Sequence, residues 1–307
     1  MLVPEIKNGV EPESVRVPVC APAANVSVTI VPSAVDPSPF IPNGRTGADG
    51  SFDVRGVLPG SYVLHAQANS GATGEVAVQI GDGDLSNLVV AIAPGAQVNG
   101  RFVIDGQWPA GANPDVSLLR VGLRRDPDLL GVPFNGPSFT PPPVADGSFE
   151  FGGVPSGDYQ VSVRALPDGA YLKSARFGST DVLESGLHLS GTPRDTLEVV
   201  IGTQGGSLSG TVLGANREPL VNATVALVPD VSARRRIDLF KTTTTDTQGR
   251  FRLRAIPPGS YTVLAWEQIE DGAWWDPEVL RAAESQGRSV RVRDGSADTT
   301  QLTAIKQ

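Results

Sequence analysis

The side chains in this chain that could carry out catalysis are few and far apart in the sequence. The 307 residues include two histidines, His65 and His188, and one cysteine, Cys20. A catalytic zinc site needs about three protein ligands, and no His-x-x-Glu motif accompanies either histidine. We expect both histidines to be ordinary strand or surface residues. Because there is one cysteine, no disulfide can form within the chain.

Two glycine-rich segments have the composition of functional loops. Residues 205–210 contain serines, but none lies between glycines two residues away on each side, as a nucleophile elbow requires. Residues 81–84, Gly-Asp-Gly-Asp, form either a plain turn or a calcium-binding turn, although they lack the regular series of oxygen ligands of a known calcium loop. No phosphate-binding Gly-x-x-x-x-Gly-Lys-Ser/Thr motif is present. We therefore expect no catalytic residue, no cofactor and no metal, and the chain is predicted not to be an enzyme.

Aromatic side chains are the best candidates for contact with a ligand or partner. Trp266, Trp274 and Trp275 lie within ten residues of one another, and Tyr171 follows the same Asp-Gly-Ala sequence that precedes Trp274. Flat aromatic faces suit stacking on a sugar or on a partner protein. The alternative is that Trp274 or Trp275 anchors a short helix to a sheet. The sequence leaves both interpretations open.

That helix is predicted over residues 277–286. Asp276 and Pro277 have the types expected at the N-cap and the first helical position, and Gly287 is a typical stop. Leu280 and Ala283 would form its apolar face. Upstream, the alternation of a strand predicts that Trp266 faces away from the side chains at positions 261 and 263.

The elements that must position these side chains contain three segments in which the same residue types recur at the same spacing. Each has a glycine, a phenylalanine two residues later, a second glycine ten residues later and a tyrosine twelve residues later. The segments are Gly50, Phe52, Gly60 and Tyr62; Gly147, Phe149, Gly157 and Tyr159; and Gly249, Phe251, Gly259 and Tyr261. A fixed pattern that recurs after about a hundred residues indicates three tandem copies of one domain. We refer to residues 1–94, 95–204 and 205–307 as the first, second and third repeats, and the first is expected to be incomplete at its start.

Within one repeat, the pattern is that of short strands and turns. In the third repeat, residues 207–213 and 223–228 alternate as half-buried strands do, and residues 242–245 are a threonine-rich strand. Glycine at position 249 supplies the positive φ of a tight turn. Each repeat is predicted to end on an apolar strand that runs directly into the next repeat. We therefore expect β-sandwiches joined by linkers of a few residues, in a semi-rigid array.

Charge and composition exclude several other classes. The net charge is −8, the sequence pI is about 4.9 and charged residues make up 19% of the chain, which argues against a nucleic-acid binder. Residues 234–236, Arg-Arg-Arg, are either a solvated loop or a contact for a polyanion. No apolar run has the length of a membrane helix. The N-terminus does not have the composition of a signal peptide, so the chain is either cytosolic or an excerpt of a longer exported protein, and the incomplete first repeat favours the excerpt.

A further distinctive segment lies in the second repeat. Residues 173–177 and 181–183 are predicted to form a β-hairpin along the flank of this repeat. Its Lys173 and Arg176 could contact a partner. We favour the interpretation that they guard an exposed sheet edge against pairing with another strand.

The repeated motifs resemble those of the carboxypeptidase regulatory-like domain, a small transthyretin-like sandwich related to Cna B-type repeats. The residues concerned are 49–52 with 58–62, 146–149 with 157–159, and 249–251 with 257–261. The resemblance implies an all-β fold of three tandem transthyretin-like or carbohydrate-binding-like Greek-key β-sandwich domains, with one short helix in the third. Residues 271–277 add a resemblance to exported proteins of acidobacterial type. Cna B-type relatives sometimes carry a Lys–Asn isopeptide bond, which we do not expect because the opening strands lack lysine.

The resemblance also implies a function without catalysis. The expected role is an extracellular or envelope-associated spacer or adhesive stalk, and the alternative is an array of carbohydrate-binding modules. The expected partners are polysaccharides or envelope proteins, with no nucleic acid and no membrane-spanning segment, and we expect a monomer.

Overall fold

A computed structural model of the chain describes residues 21–33, 42–108, 115–126, 138–139 and 143–306, with the backbone alone at 138–139. The chain divides into two compact units, residues 1–93 and 94–307. The second unit contains the second and third repeats. Cys20 and the predicted start of the first repeat lie outside the described residues. No helix of the described residues is long and apolar enough to span a membrane.

The first unit has a single described sheet. Its four strands are β1 (Ser27–Pro32), β2 (Asn43–Arg45), β3 (Gly60–Gln67) and β4 (Thr73–Ile80), in the order β2-β1-β3-β4. All of these pairings are antiparallel. The apolar strand expected near residues 89–90, at the end of the first repeat, is not formed. Among the described residues of this segment, Ala93 alone pairs, in an isolated antiparallel bridge with Thr73. Leu88 and Val90 still pack against the core of this sheet.

The second repeat is a two-sheet sandwich. Its elements are β5 (Ala96–Asp105), β6 (Arg120–Arg125), β7 (Ser138–Phe139), β8 (Ser148–Val154), β9 (Gly157–Arg164), β10 (Tyr171–Phe177), β11 (Thr180–Asp181), α1 (Val182–Ser185), β12 (Leu187–Leu189) and β13 (Leu197–Gly202). The sheets run β11-β10-β13-β5-β8 and β12-β9-β6-β7. Side chains from both sheets form one hydrophobic core, which includes Val98, Phe149, Val161 and Leu197.

The hairpin predicted in this repeat is formed by β10 and β11 at the edge of the five-stranded sheet, but residues 182–183, predicted as part of its second strand, belong to α1. One expectation needs correction, because the third repeat is not the only one with a helix. The four-residue helix α1 follows the hairpin directly. The Asp181 carboxylate caps it by accepting the Leu183 N–H at 3.0 Å, and Gly186, at φ +79°, follows its last residue. The hairpin pattern did not indicate this turn of helix.

The third repeat is a sandwich covered by a helix. Its elements are β14 (Gly206–Leu213), β15 (Thr224–Pro229), β16 (Lys241–Thr244), β17 (Arg250–Ile256), β18 (Gly259–Trp266), α2 (Pro277–Ala283), β19 (Arg288–Val292) and β20 (Ala297–Thr303). The sheets run β17-β14-β20 and β16-β15-β18-β19. The core between them includes Leu208, Val225, Phe251 and Val263. The described strands and sandwich confirm the all-β fold.

Both faces of β15 and β18 are buried, which the predicted alternation of residues 223–228 did not indicate. One face lies in the sandwich core, and the other, with Ala226, Leu264 and Trp266, packs against Leu280 and Ala283 of α2. The helix begins as predicted, with the Asp276 carboxylate accepting the Glu278 N–H at 2.7 Å. A helix of seven residues is marginal by itself, so its packing against this sheet is what stabilises it.

Parallel pairing of the first and last strands is common to both sandwiches. In the second repeat β5 pairs with β13, from Gly100 opposite Leu197 to Asp105 opposite Gly202. In the third repeat β14 pairs with β20 in the same direction. Two parallel neighbours require a long connection, and here the rest of each sandwich supplies it. The chain therefore enters each of these repeats at one end of the strand pair and leaves at the other.

Candidate functional site

The repeated glycine and tyrosine build one kind of turn three times. Each tyrosine hydroxyl donates to the carbonyl oxygen four residues earlier: Tyr62 to Leu58 at 2.9 Å, Tyr159 to Pro155 at 2.8 Å and Tyr261 to Pro257 at 2.8 Å. The ring folds back over the turn so closely that a Cβ added at Gly60 or Gly259 would lie 3.1 Å from Cε2 of the tyrosine two residues on. The motif that defines the repeat is therefore structural, and it leaves these tyrosines with no free hydroxyl for chemistry.

An aspartate makes the turn before each repeated phenylalanine. The carboxylates accept backbone N–H groups, from Ser51 to Asp49 at 3.0 Å, from Ser148 to Asp146 at 2.9 Å and from Gln248 to Asp246 at 2.8 Å. Hydrogen bonds from Ser51, Ser148 and Arg250 hold the pKa of these three carboxyl groups below the usual range. Glycine follows each turn at positive φ, with Gly249 at +68°. These acids therefore serve the local backbone.

The tryptophan cluster divides between core and surface. Trp266 is 1% exposed and belongs to the core beneath α2, so it offers no face to a ligand and is removed from the candidate contacts. It does face away from Tyr261 and Val263, as the strand alternation predicts. Trp274 is half-buried against the same core, and Trp275 is 52% exposed. Each interpretation of the cluster thus applies to one residue. Trp274 anchors this segment against the core beneath α2, and Trp275 presents its ring to solvent.

The two exposed or half-exposed indoles are close neighbours. Their ring centroids lie 6.0 Å apart with the planes at 67°. They occupy a 3-10 turn, Ala273–Trp275, that begins after Gly272 at φ +86° and leads directly into the N-cap of α2. The edge-to-face geometry is a favourable one for aromatic pairs. Trp274 therefore supports Trp275 from the helix side.

Tyr171 lies at the junction between the second and third repeats and is not a surface contact. It is 3% exposed, and its hydroxyl donates to Oδ1 of Asp294 in the third repeat at 2.6 Å. Burial, followed by this hydrogen bond, raises the pKa of Tyr171. A Cβ at Gly202 would lie 2.4 Å from Cζ of the tyrosine ring, so that glycine makes room for the ring. The candidate ligand contact is thus corrected to an anchor between repeats.

The three consecutive arginines have partners, two of them across the same junction, and do not form a free basic loop. Arg236 donates from Nη2 to the Leu172 carbonyl of the second repeat at 3.1 Å, and its guanidinium also pairs with Asp238 at 2.7 Å. Arg235 lies 3.7 Å from Asp126 of the second repeat. Arg234 binds the Glu284 carboxylate beside α2. The run of like charges was visible in the sequence, but its partners were not.

The remaining titratable candidates have local partners. His65 is a buried strand residue, with Nδ1 3.0 Å from the Glu75 carboxylate. His188 is exposed on its strand, 2.7 Å from Asp158. In the predicted hairpin, Lys173 pairs with Asp105 of the same repeat at 2.5 Å, and this hydrogen bond raises the pKa of the lysine.

Residues 81–84 lie in an exposed turn. Within the described ranges no group of three or more His, Cys, Asp or Glu side chains could hold a metal ion.

A cleft lined by the second and third repeats contains Tyr171, Arg235 and Arg236 together with residues that the sequence did not single out. It has a volume of about 360 Å³, and it contains Lys241 at the start of edge strand β16. Burial lowers the pKa of this lysine, and the neighbouring Asp238 carboxylate acts in the opposite direction. No sequence motif marked this position.

One family model matches this chain. It is described as the carboxypeptidase regulatory-like domain, and it covers residues 207–269. Among curated proteins, the chain is 28% identical over 264 residues to the BOS complex subunit NOMO1 of Mus musculus, a match that covers 80% of this chain and 20% of that protein. The chain thus spans about one fifth of the length of the curated relative that it matches.

Solved structures with a similarity to this chain include several pilins. The major pilin subunit BcpA of Bacillus cereus is 13% identical with a TM-score of 0.24, over 92% of this chain and 94% of that one. The minor pilin GBS52 of Streptococcus agalactiae is 15% identical with a TM-score of 0.25, over 69% of this chain and 95% of that one.

The family match falls on the third repeat and spans β14 to β18, including its repeated glycine and tyrosine turn. This is the stretch whose motifs carry the resemblance in the sequence. Residues 207–269 are therefore similar in sequence to the carboxypeptidase regulatory-like domain.

Proposed function

We propose that this chain is a non-catalytic structural and interaction module that acts as a mechanical spacer or adhesive stalk in the bacterial cell envelope. It would consist of three tandem β-sandwich domains that meet at residues 94/95 and 204/205, and its partners would be envelope proteins or polysaccharides outside the cell. The carboxypeptidase regulatory-like match supports a role without catalysis.

The observation that carries this proposal is the parallel pairing of first and last strands. In the third repeat, β14 and β20 pair from Ser207 opposite Ala297 to Leu213 opposite Thr303. A force applied along the chain would pull these two strands in opposite directions along their own axes. All the hydrogen bonds of the pair would then carry the force together and would not open one after another. A spacer under tension needs this property.

Single-molecule pulling in two directions tests the proposal. Handles at Gln204→Cys and Thr303→Cys load the β14–β20 pair in shear, and handles at Ser207→Cys and Ala297→Cys peel the same pair open from one end. Both variants carry Cys20→Ser, so that the handles attach at the intended thiols. We expect a clearly higher unfolding force in the shear direction, because forced unfolding is governed by the barrier to breaking the native pairing. Equal forces in the two directions would contradict the spacer role.

Carbohydrate binding is the second candidate function, and the exposure of Trp275 supports it. An indole that is 52% exposed beside a supporting second indole provides a flat surface for stacking on a sugar. Affinity electrophoresis in a panel of soluble polysaccharides tests this candidate. We expect retardation in at least one polysaccharide, lost in Trp275→Ala and kept in Val231→Ala, which truncates another exposed apolar side chain of the same repeat. No retardation in any gel would remove carbohydrate binding as a function.

A further inference from the structure

The cleft between the second and third repeats has an unusual charge balance for this protein. Its lining includes five cationic and three acidic side chains, whereas the whole chain carries a net charge of −8. The cations are Arg124, Arg164, Arg235, Arg236 and Lys241, and the acids are Asp126, Glu184 and Asp238. A local excess of positive charge within an acidic protein favours the entry of an anion.

Most of the charged side chains in the cleft have hydrogen-bond or ion-pair partners within the protein. Lys241 differs from them in this respect. Arg236 is held by Asp238 and by the Leu172 carbonyl. Arg124 donates to the Gln160 side-chain oxygen at 2.5 Å. For the Lys241 ammonium, no hydrogen bond or ion pair is recorded among the residues that the structure describes. Burial has removed part of the hydration of this ammonium, and no carboxylate contact from the described residues replaces it. A charged group in such surroundings is costly.

Much of the rest of the lining is apolar, although Gln160, Ser162 and Tyr171 add polar groups. Val163, Leu172, Leu183 and Ile237 contribute to the walls around the charged groups. A volume of about 360 Å³ lies in the range of small-molecule sites, which are mostly apolar with a few placed polar groups. A bare inorganic ion would leave these walls without a contact. A ligand that has both an oxyanion and an apolar body would satisfy both parts of the lining.

We propose that this cleft is a binding site for a small organic anion, a carboxylate or sulfonate attached to an apolar group, with Lys241 as the principal contact of the oxyanion. Because the walls come from both repeats, such a ligand would bridge them. Binding would therefore stabilise the junction as well as the third repeat.

A fluorescence titration of the full chain with 8-anilinonaphthalene-1-sulfonate tests this site. The probe has the required sulfonate and apolar body. We expect saturable binding of one probe per chain. Octanoate should displace the probe, whereas acetate and sulfate at matched ionic strength should not, because they lack the apolar body. Displacement by sulfate as effective as that by octanoate would overturn the proposed ligand class.

Variants locate the site. Lys241→Met removes the ammonium and keeps the length of the side chain, and we expect it to weaken probe binding at least about tenfold, the loss typical of one charged hydrogen bond. Lys306→Met is the matched control, because Lys306 pairs loosely with Glu267 far from the cleft lining, and its affinity should not change. Thermal unfolding of both variants verifies the fold. A Lys241→Met protein that is folded and binds the probe as tightly as the parent would overturn the site.

Discussion

At the scale of single residues, the repeated glycines and tyrosines have a geometric role. The spacing of glycine and tyrosine two residues apart was evident in the sequence, but it did not reveal why both are needed. The structure gives the reason, since the tyrosine ring folds back over the turn to reach the carbonyl four residues earlier. A larger side chain at the preceding glycine would occupy the space of the ring. The same pattern in three repeats therefore predicted a shared turn, while the hydrogen bond itself depended on atomic positions.

Gly249→Ala is predicted to destabilise the third repeat by more than the strain of a left-handed backbone conformation alone. The residue has φ +68°, and its added Cβ would lie 2.8 Å from Cβ of Pro219. We expect a loss of about 2–4 kcal/mol, the sum of a left-handed conformation and an overpacked contact. Gly272→Ala is the control, because it has φ +86° but only ordinary contacts, and it should lose about 1–2 kcal/mol. Urea unfolding measures both, and equal losses would contradict the steric argument.

Tyr261→Phe is predicted to lower the free energy of unfolding at neutral pH. It is also predicted to weaken the pH dependence of this free energy in the alkaline range. Loss of the buried hydrogen bond to Pro257 should cost about 1–2 kcal/mol. Burial raises the pKa of Tyr261, whereas the unfolded tyrosine ionises near pH 10. The folded state thus keeps a proton that the unfolded state loses, so the free energy of unfolding falls as the pH rises above about 10.

Unfolding of the parent and of Tyr261→Phe by urea at pH 8 to 11 measures this difference. The Phe variant should lose less stability over the alkaline range than the parent does. Tyr62→Phe is a useful comparison at neutral pH, because its hydrogen bond to Leu58 is exposed and its removal should cost little. Parallel pH curves for the parent and Tyr261→Phe would contradict the ionisation argument.

At the scale of elements, the sequence was sufficient for most strands of the second and third repeats and for the start of α2, but not for the strand expected near residues 89–90 or for α1. Asp276 and Pro277 predicted where the helix begins because capping is a local interaction. The sequence did not reveal that β15 and β18 are buried on both faces, since this depends on where α2 packs. Nor did it predict that Trp266 would lie beneath the helix. Local chemistry was therefore predictable, and the contact between elements was not.

Leu280→Ala is predicted to detach α2 from the sheet. Leu280 is 1% exposed and contacts the core that contains Trp266. We expect a loss of about 2–5 kcal/mol, as for other buried leucines, with the emission of Trp266 shifting towards that of a solvated indole. Arg281→Ala, on the exposed side of the same helix, should change stability by less than about 0.5 kcal/mol. Chemical unfolding followed by tryptophan fluorescence measures both, and a small effect of Leu280→Ala would show that the helix is dispensable.

At the scale of the whole molecule, the periodicity of the sequence predicted the repeats but not the contacts between them. The arginine run was visible in the sequence, yet one of the two partners of Arg236 is a carbonyl in another repeat. Tyr171 was singled out for its aromatic ring, and its function at the junction depends on its hydroxyl and on Asp294. Such contacts have no sequence signature because they form only when two folded repeats meet. The three-domain division and its boundaries remain predictions.

The double variant Tyr171→Phe/Arg236→Met is predicted to loosen the junction between the second and third repeats. It removes both hydrogen bonds that these side chains make across it. Spin labels at Glu150→Cys and Arg281→Cys, in a Cys20→Ser background, report the distance between the repeats by pulsed electron resonance. We expect a narrow distance distribution in the parent and a broad one in the double variant. Lys173→Met, which breaks an ion pair within the second repeat, should leave the distribution narrow.

The placement of the indoles has a practical consequence. Of the four tryptophans in the chain, three belong to the third repeat, where one is enclosed beneath α2 and another faces water. Ultraviolet-excited emission from the unlabelled protein is thus weighted towards the third repeat. The natural chain carries its own optical reporter, able to register the opening of that repeat while the rest of the chain stays folded.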